Sequence, residues 1–279
     1  MAAMKKSLLA ALMGLALAAP AAHAEITMGL IPAENAEEMV KKFEPMRAYL
    51  EQKLGEKVKV YTATDYTGVI EAMRKKRIDI AWFGPLSYVL AQQEAGAEPF
   101  AAGILKGSDS HNYKSIFVTR CDSGIKSLKD LQGKNVAFVN PASTSGGLMP
   151  TYMIVKEFGK KPDQFFGKFT YTGSHDAAEL AVKNKTVDAA ADNDITYGKM
   201  VDKGQISKSE NCVIAESAPL PGSPLTYRGD LKPELKAKIK DAVLSAHKDI
   251  QVTGYGNLSH YVEVTPADYQ MIRDLSLIH

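Results

Sequence analysis

Short apolar runs alternate with amphipathic segments along most of the chain. The runs typical of buried strands are Ile26–Ile31, Val58–Thr62, Ile78–Phe83, Phe100–Leu105, Tyr113–Thr119, Val136–Val139, Phe169–Thr172 and Val187–Ala191. A helical stretch is predicted from Asn35, with a break and a restart at Pro45. Apolar residues also recur with helical spacing in Tyr66–Lys76, Leu86–Glu94, Ser145–Phe158 and Asp176–Asn184. The last part of the chain is predicted to be mostly helical, over Pro233–His247 and again from Pro266. This alternation predicts an α/β protein with largely parallel sheets.

One segment of the chain is similar to another at an offset of 109 residues. Ala72–Ala81 and Ala181–Ala190 share four of ten residues, and each combines a helix end, a polar turn and a strand carrying an Asp. Two lobes of similar topology would produce this similarity, and chance resemblance between two strand–helix units is the alternative. No linker rich in Pro, Gly or Ser separates the two halves, so we expect ordered strands to connect them.

The first 24 residues have the pattern of an export signal. Lys5 and Lys6 precede an apolar stretch of 13 residues, Ser7–Ala19, and Ala22–Ala24 has the small-x-small form of a cleavage site. The apolar stretch is too short to span a bilayer core of about 30 Å, which argues against the alternative of a membrane anchor. We therefore expect residues 1–24 to be a cleaved signal peptide and the protein to be periplasmic.

The charge balance excludes some classes of protein. The chain has 34 Lys and Arg and 32 Asp and Glu, and its formal charge of +2 comes from Lys5 and Lys6 of the predicted signal. The remainder is formally neutral, which argues against a general nucleic-acid binder. An apolar content of 45% with 24% charged residues is typical of a globular protein. Its two cysteines, Cys121 and Cys212, predict either a disulfide or two free buried thiols.

The loop Asn140–Gly147 is the strongest candidate for a binding site. It follows a predicted strand and opens a predicted helix, and it carries three successive hydroxyls, on Ser143, Thr144 and Ser145, before two glycines. Hydroxyl and backbone donors at a helix N-terminus favour an anion. Ordinary capping by one serine is the alternative. The loop lacks the Gly-Lys-Ser/Thr of a nucleotide-binding P-loop.

Two equivalent strand-to-helix turns each carry an aromatic side chain that can donate a hydrogen bond. His175 lies in the turn Thr172–Asp176, and subtracting the offset of 109 residues places Tyr66 at the matching position of the first lobe. The only tryptophan, Trp82, ends a predicted strand, where ligands of open α/β sheets bind. A surface histidine near a cap and an aromatic core side chain are the alternatives for His175 and Trp82.

An enzyme is the weaker interpretation. Ser143 or Ser145 with His175 and either Asp176 or Asp194 would supply the residue types of a hydrolase triad. However, the sequence has no Gly-x-Ser-x-Gly elbow and no His-Glu-x-x-His metal motif. We therefore expect a non-catalytic binding protein without a cofactor or a metal site.

Four segments together resemble a known family. They are Thr64–Tyr88, Pro141–Gly147, Thr172–Ala178 and Pro219–Pro224, and the chain is similar at these residues to the phosphonate-binding periplasmic proteins of ABC importers, which include phosphite-binding members. The resemblance implies a type II periplasmic binding fold with two hinge-connected lobes and a ligand cleft between them. Lobe 1 would comprise residues 25–117 and 220–279, and lobe 2 residues 118–219. The partners would be a membrane permease and its ATPase.

The resemblance also implies roles for particular residues. Ser143, Thr144 and Ser145 would bind the phosphonyl oxygens, with His175 from the same lobe, Tyr66 from the other lobe and Tyr113 beside the crossover strand. Trp82 and Asp194 would contribute to the pocket wall, together with the two residues considered next.

The sequence differs from that of many family members at two positions of the expected ligand site. Members that bind 2-aminoethylphosphonate hold its ammonium with two carboxylates, and the corresponding residues here are Ile195 and Ser223. A buried ammonium without a carboxylate is costly, so we expect phosphite, methylphosphonate or a similar small phosphorus oxyanion. The alternatives are a broader phosphonate carrier, in which Asp194 replaces the missing carboxylate, and a periplasmic sensory protein that uses the same pocket.

Overall fold

Two β-sheets organise residues 25–277, the part of the chain that the computed structural model describes. The strands are β1 (Ile26–Leu30), β2 (Val58–Thr62), β3 (Ile80–Trp82), β4 (Glu98–Leu105), β5 (Ser115–Arg120), β6 (Asn135–Phe138), β7 (Lys168–Tyr171), β8 (Ala189–Asn193), β9 (Asn211–Glu216), β10 (Pro224–Tyr227), β11 (Thr253–Gly254) and β12 (Gly256–Glu263). The first sheet has the order β11-β12-β4-β10-β3-β1-β2 and the second β7-β6-β8-β5-β9. The predicted signal peptide lies outside the described residues.

Both sheets are mixed, so the prediction of largely parallel sheets was wrong. Strand β1 pairs in parallel with β2 and β3, and β6 pairs in parallel with β7 and β8. Strands β10 and β12 join the first sheet antiparallel, and β5 is antiparallel to β8 and β9. Parallel pairs come from local strand–helix–strand units, whereas these antiparallel pairs join segments that are distant along the chain.

The helices cover the faces of the sheets. They are α1 (Ala36–Leu54), α2 (Tyr66–Arg74), α3 (Pro85–Ala95), α4 (Met149–Phe158), α5 (Pro162–Phe165), α6 (His175–Lys183), α7 (Asp194–Asp202), α8 (Pro233–Ser245) and α9 (Gln270–Ser276). The predicted break at Pro45 does not occur, because α1 continues through it. A proline removes one helical hydrogen bond, but Phe43 and Met46 on either side are fully buried, and their packing keeps the helix continuous.

The C-terminal part is less helical than predicted. Strands β11 and β12 occupy Thr253–Gly254 and Gly256–Glu263, and β12 pairs with β4. The register shifts between Leu258 and His260, so the burial pattern of β12 departs from strict alternation. That bulge hides the two-residue period on which recognition of a strand depends.

The two similar segments are structurally equivalent. Helices α2 and α6 begin 109 residues apart, and each ends in a turn with a lysine at positive φ, 57° at Lys76 and 60° at Lys185. Asp79 then accepts the backbone N–H of Thr27 in the neighbouring strand at 2.9 Å. Asp188 accepts the N–H of Asn135 in the same way at 2.8 Å. The sequence similarity therefore reflects two lobes built on the same strand–helix unit.

The chain crosses between the lobes twice, and the crossings pair with each other. The first crossing joins β4 to β5 and the second joins β9 to β10. Between them, Tyr113 donates its N–H to the carbonyl of Leu220 at 3.1 Å and accepts the N–H of Leu220 at 2.8 Å. The predicted lobe limit at residue 117 falls inside β5 and the limit at 219 lies beside this bridge; these limits remain a prediction.

The two cysteines form a disulfide. Cys121 follows β5 and Cys212 lies in β9, with Cα atoms 5.1 Å apart, so the bond joins neighbouring strands at the edge of the second sheet. The disulfide is confirmed and the alternative of two free thiols is wrong. Among the described residues, none of the helices is both long enough and apolar enough to cross a bilayer.

Candidate functional site

Helical N-termini converge on a cavity between the lobes. The first residues of α2 and α6, Tyr66 and His175, line it, as do Gly84, which caps α3, and Thr144, which opens a π-helical turn, Thr144–Leu148, ahead of α4. Each follows the carboxyl end of a strand, where ligands bind in α/β sheets. Helix N-termini carry partial positive charge and free N–H groups, so the cavity is suited to an anion. We call it the central cavity.

The central cavity brings the six predicted ligand residues together. They are Tyr66, Tyr113, Ser143, Thr144, Ser145 and His175, and all of them line a space of about 260 Å³, counting the part open to solvent. Each of these six residues is only 1% to 6% exposed to solvent. A ligand in this space would therefore be almost completely enclosed by protein.

The triple-hydroxyl loop is held by its two glycines. A Cβ on Gly146 would lie 2.3 Å from Val139, and one on Gly147 would lie 2.3 Å from the carbonyl oxygen of Asn140. The glycines therefore serve close packing of the turn against the end of β6. The N–H of Gly146 is not free, because it donates to Ser143 Oγ at 3.1 Å. Ser143 thus caps the turn through its hydroxyl oxygen.

Two tyrosine hydroxyls face the loop. The hydroxyl of Tyr66 is fully buried and has no hydrogen-bond partner among the described residues. Burial raises the pKa of Tyr66, with the nearby Ser143 hydroxyl opposing the shift, and burial likewise raises the pKa of Tyr113, beside Ser145 and Thr144. Both phenols therefore stay protonated. An unsatisfied buried hydroxyl is costly, so the Tyr66 hydroxyl is available as a donor to a ligand in the cavity.

The imidazole of His175 is oriented from behind by a carboxyl group. Its Nδ1 lies 2.6 Å from Oδ1 of Asp192 and 3.0 Å from the amide nitrogen of Asn193, so Nε2 is the nitrogen left for a ligand. Burial lowers the pKa of His175 to about 4 and raises the pKa of Asp192 to about 8. Although the contact has the spacing of an ion pair, complete burial favours a neutral pair. A protonated Asp192 then donates to Nδ1 and fixes the hydrogen on Nε2.

A second buried acid lies beside Asp192. Glu179 is fully buried, its Oε2 accepts from Asn211 at 2.8 Å, and burial together with Asp192 raises its pKa. Glu179 Oε1 and Asp192 Oδ2 both lack a hydrogen-bond partner among the described residues when no proton is placed between the two acids. A hydrogen bond from protonated Glu179 to Asp192 satisfies these two acids and opposes the rise in the Asp192 pKa.

Backbone and side-chain bonds across the cleft hold the two lobes together. The N–H of Leu86, in the first turn of α3, donates to Thr144 Oγ1 at 2.8 Å, and the N–H of His175 donates to the carbonyl of Ala33 at 2.9 Å. Near the cleft mouth, Lys199 lies 2.5 Å from the buried Glu34. The structure is therefore the closed form, in which Thr144 accepts from the opposite lobe and can still donate to a ligand.

Of the four predicted wall residues, three line a cavity and one does not. Trp82 and Ser223 line the central cavity, and Ile195 lines an adjoining cavity. Asp194 lines neither, because its Oδ1 accepts the N–H of Lys114 at 3.0 Å. The other carboxylate considered for a triad, Asp176, accepts the N–H of Asn35 at 3.2 Å. Neither of these two acids orients His175.

Several residues that line or support the central cavity were not predicted from the sequence. Tyr255, on the loop between β11 and β12, lines the central cavity and packs against Trp82 with ring centroids 4.9 Å apart. Its hydroxyl accepts from Asn193 at 2.9 Å. Tyr255, Asp192 and Glu179 come from three separated segments, and no local pattern connects them. Asn193 is the N-cap of α7, a helix that was not predicted from the sequence.

The fold and the closed cleft define a class of protein: two-lobed solute-binding proteins that enclose a small ligand between lobes joined by paired crossing strands. The profile of the family described as "ABC transporter, phosphonate, periplasmic substrate-binding protein" matches residues 28–269. The chain belongs to this family, and the family resemblance predicted from its motifs is confirmed. It is therefore a phosphonate-family substrate-binding component of an ABC transporter with the predicted type II fold.

Individual relatives agree with this assignment. The phosphate-import protein PhnD of Mycolicibacterium smegmatis is 35% identical over 223 residues, 77% of this chain and 70% of that protein. The phosphonates-binding periplasmic protein of Escherichia coli is 34% identical over 236 residues, 81% of this chain and 69% of that protein. The binding component of a Pseudomonas aeruginosa phosphonate transporter superposes with a TM-score of 0.85 and 29% identity, covering 92% of this chain and 86% of that chain.

Proposed function

We propose that the central cavity binds a small phosphorus oxyanion, phosphite or a small phosphonate such as methylphosphonate. The protein is proposed to act in the periplasm without catalysing a reaction and to deliver the ligand to a membrane permease powered by an ATPase. Membership in the phosphonate-binding family supports the transport role. The names of the two relatives include both phosphate and phosphonates, so the choice of anion depends on the residues of this chain.

The convergence of neutral donors carries the proposal. Hydroxyls of Ser143, Ser145 and Tyr66 and the Nε2–H of His175 face one enclosed space at which helix N-termini point. Among the described residues, no Lys or Arg lines this space. Preorganised dipoles in a water-excluded site stabilise an oxyanion strongly without a counter-charge. Several acceptor oxygens on one compact centre match this donor set.

The apolar part of the cavity favours ligands with fewer than four oxygens. Ile31, Ala33 and the indole of Trp82 line the same space as the donors. A P–H or P–CH₃ group fits against such a wall, whereas the fourth oxygen of phosphate loses a hydrogen bond there. We therefore expect phosphate to bind less tightly than phosphite or methylphosphonate.

Ligand entry requires the lobes to separate. The six ligand residues are at most 6% exposed in the closed form. The crossing strands that meet at Tyr113 and Leu220 are the natural hinge, since they join the lobes covalently and pair with each other. Closure then completes the donor set around the ligand, and the closed form is the state that we expect the permease to recognise.

Calorimetric titration with phosphite, methylphosphonate, phosphate and 2-aminoethylphosphonate tests the proposal. We expect phosphite or methylphosphonate to bind most tightly, and Ser145→Ala to weaken that binding at least tenfold. Ser123→Ala is the matched control, because its hydroxyl bonds to Thr119 in β5, outside the central cavity. Tightest binding of 2-aminoethylphosphonate or phosphate, or unchanged binding in the Ser145 variant, would contradict the proposal.

A further inference from the structure

One largely buried ammonium group lies just outside the central cavity. Lys199, on α7, has a side chain only 16% exposed, and its Nζ lies 3.9 Å from the centroid of the Tyr255 ring. Tyr255 lines the central cavity, whereas Lys199 does not. The positive charge is therefore separated from the ligand space by one aromatic side chain.

The contacts of Lys199 cross the cleft. Helix α7 follows β8 of the second sheet, whereas Glu34 precedes α1 and Tyr255 lies between β11 and β12, both in the lobe of the first sheet. Nζ of Lys199 lies 2.5 Å from Oε1 of Glu34. Separation of the lobes would withdraw the ammonium from both partners, so its charge comes beside the ligand site only in the closed form.

Glu34 does not cancel the positive charge of this cluster. Its carboxylate also pairs with Lys42, so two ammonium groups share one buried carboxylate. Burial acts to raise the pKa of Glu34, but Lys199 and Lys42 outweigh it and hold that pKa below its ordinary value. Burial lowers the pKa of Lys199 to about 8, so its ammonium is charged at pH 7. The cluster therefore carries a net positive charge.

Other charged groups on this side of the cavity contribute less. Glu38 and Lys203 pair across the same cleft at 3.3 Å, but both side chains are about half-exposed. Asp176 is also partly exposed. The buried acids behind His175 are protonated, because burial raises their pKa values. Water screens exposed charges, whereas a charge in the low-dielectric interior acts over a longer distance.

We propose that Lys199 is a specificity-determining residue that makes affinity depend on the negative charge of the oxyanion. Its ammonium approaches on closure and attracts the ligand across the Tyr255 ring, without direct contact. This inference rests on the proposed function, because it assumes that the oxyanion occupies the central cavity. The neutral donors then recognise the oxygens of the ligand, and Lys199 favours a dianion over a monoanion of similar size.

Phosphite and hypophosphite measure this preference, since phosphite is mostly a dianion at neutral pH and hypophosphite is a monoanion. Lys199→Met keeps a side chain of similar length against Tyr255 and removes the charge. By calorimetry at pH 7, it should weaken phosphite binding about tenfold and hypophosphite binding about threefold, because a Coulomb energy doubles with the charge of the ligand. A role in packing alone would weaken both ligands by the same factor.

Lys203→Met is the matched control. Lys203 lies one turn further along the chain, at the end of α7, and also pairs across the cleft, but its ammonium is half-exposed. This variant should change neither affinity by more than about twofold. Urea unfolding of ligand-free Lys199→Met checks that the fold is retained.

The effect of Lys199 should fall on dissociation, because its charge arrives with closure. Trp82, the only tryptophan of the chain, lines the central cavity, so its fluorescence follows ligand capture in a stopped-flow experiment. In Lys199→Met, the dissociation rate should rise about as much as the affinity for phosphite falls. A loss confined to the association rate would place the action of the charge in the open form and would overturn the inference.

Failure of this inference is distinguishable from failure of the proposed function. An equal or larger loss for hypophosphite, or unchanged phosphite affinity in Lys199→Met, would show that Lys199 does not select for charge, while the wild-type protein still binds phosphite. If neither phosphite nor any phosphonate binds the wild-type protein, the proposed function itself fails.

Discussion

Nδ1 of His175 lies 2.6 Å from Oδ1 of Asp192, and both side chains are buried beside the central cavity. Since burial lowers the pKa of the imidazole and raises that of the carboxyl, the pair is neutral at pH 7. The hydrogen on Nε2 then depends on the proton of Asp192. A single buried proton therefore sets whether His175 donates to the ligand or repels it.

Affinity is predicted to fall as the pH rises through about 8, the value to which burial raises the Asp192 pKa. Above this pH the carboxylate accepts from Nδ1–H, and the tautomer change leaves a lone pair on Nε2 facing the oxyanion. Asp192→Asn should keep neutral-pH affinity within about threefold, since an amide N–H replaces the carboxyl donor, and should remove the fall. Calorimetry from pH 6 to 9.5 measures both.

The ligand itself titrates in this pH range. Comparing the affinities of wild type and Asp192→Asn at each pH removes this contribution. Asp194→Asn is the matched control, because that neighbouring carboxylate accepts the N–H of Lys114 outside the central cavity. An ion pair between an imidazolium and Asp192 would give the opposite result: Asp192→Asn would lose most of its affinity at every pH.

Tyr66→Phe is predicted to weaken oxyanion binding by about ten- to a hundredfold, the contribution of a hydrogen bond to a charged group. The same change should leave the free energy of unfolding of the ligand-free protein unchanged or slightly higher, since the buried hydroxyl has no partner among the described residues. Urea unfolding and calorimetry separate the two effects. Tyr88→Phe, which removes a hydroxyl bonded to Arg273, should leave binding unchanged. A large stability loss in Tyr66→Phe would contradict the assignment.

Thr144→Val is predicted to shift the protein toward the open form. The valine is similar in shape but cannot accept the N–H of Leu86 across the cleft, so closure would leave that buried donor unsatisfied. Small-angle scattering with saturating ligand should show a larger radius of gyration than wild type, and affinity should fall at least tenfold. Thr144→Ser keeps the acceptor and should close normally. Full closure of the valine variant would show that this bond does not hold the lobes.

Replacing both Cys121 and Cys212 by serine is predicted to lower the free energy of unfolding by about 2–5 kcal/mol, because the bond closes a long loop in the unfolded chain. Ligand affinity should change less than twofold, since the disulfide lies at the edge strand of the second sheet. Urea titrations of the variant and of reduced wild type should agree. A large loss of affinity at full folding would contradict this separation of stability and binding.

Much of the lining of the candidate site could be predicted because its candidate donors lie in local motifs. Three donors are consecutive in Ser143–Ser145, and the similarity between two segments of the sequence is enough to pair Tyr66 with His175. The structure places both residues at the first position of equivalent helices, α2 and α6. Strand-to-helix turns can be recognised from short sequence patterns, since caps and glycines have local requirements.

The remaining contributors depend on contacts between distant segments. Asp192 has the pattern of an ordinary strand residue, and its role behind His175 follows only from the pairing of β8 with its neighbours. Tyr255 reaches the cavity because β12 joins the far side of the first sheet, against β4. The mixed character of the sheets was missed for the same reason. Local periodicity does not report which strand a returning segment will pair with.

A crystal structure of the protein with methylphosphonate tests the central claim most directly. We expect closed lobes with the phosphonyl oxygens within hydrogen-bond distance of Ser143, Ser145, Tyr66 and Nε2 of His175, and the methyl group against Trp82. A methylphosphonate bound outside the central cavity, or bound there with its methyl group facing the serine hydroxyls, would contradict it.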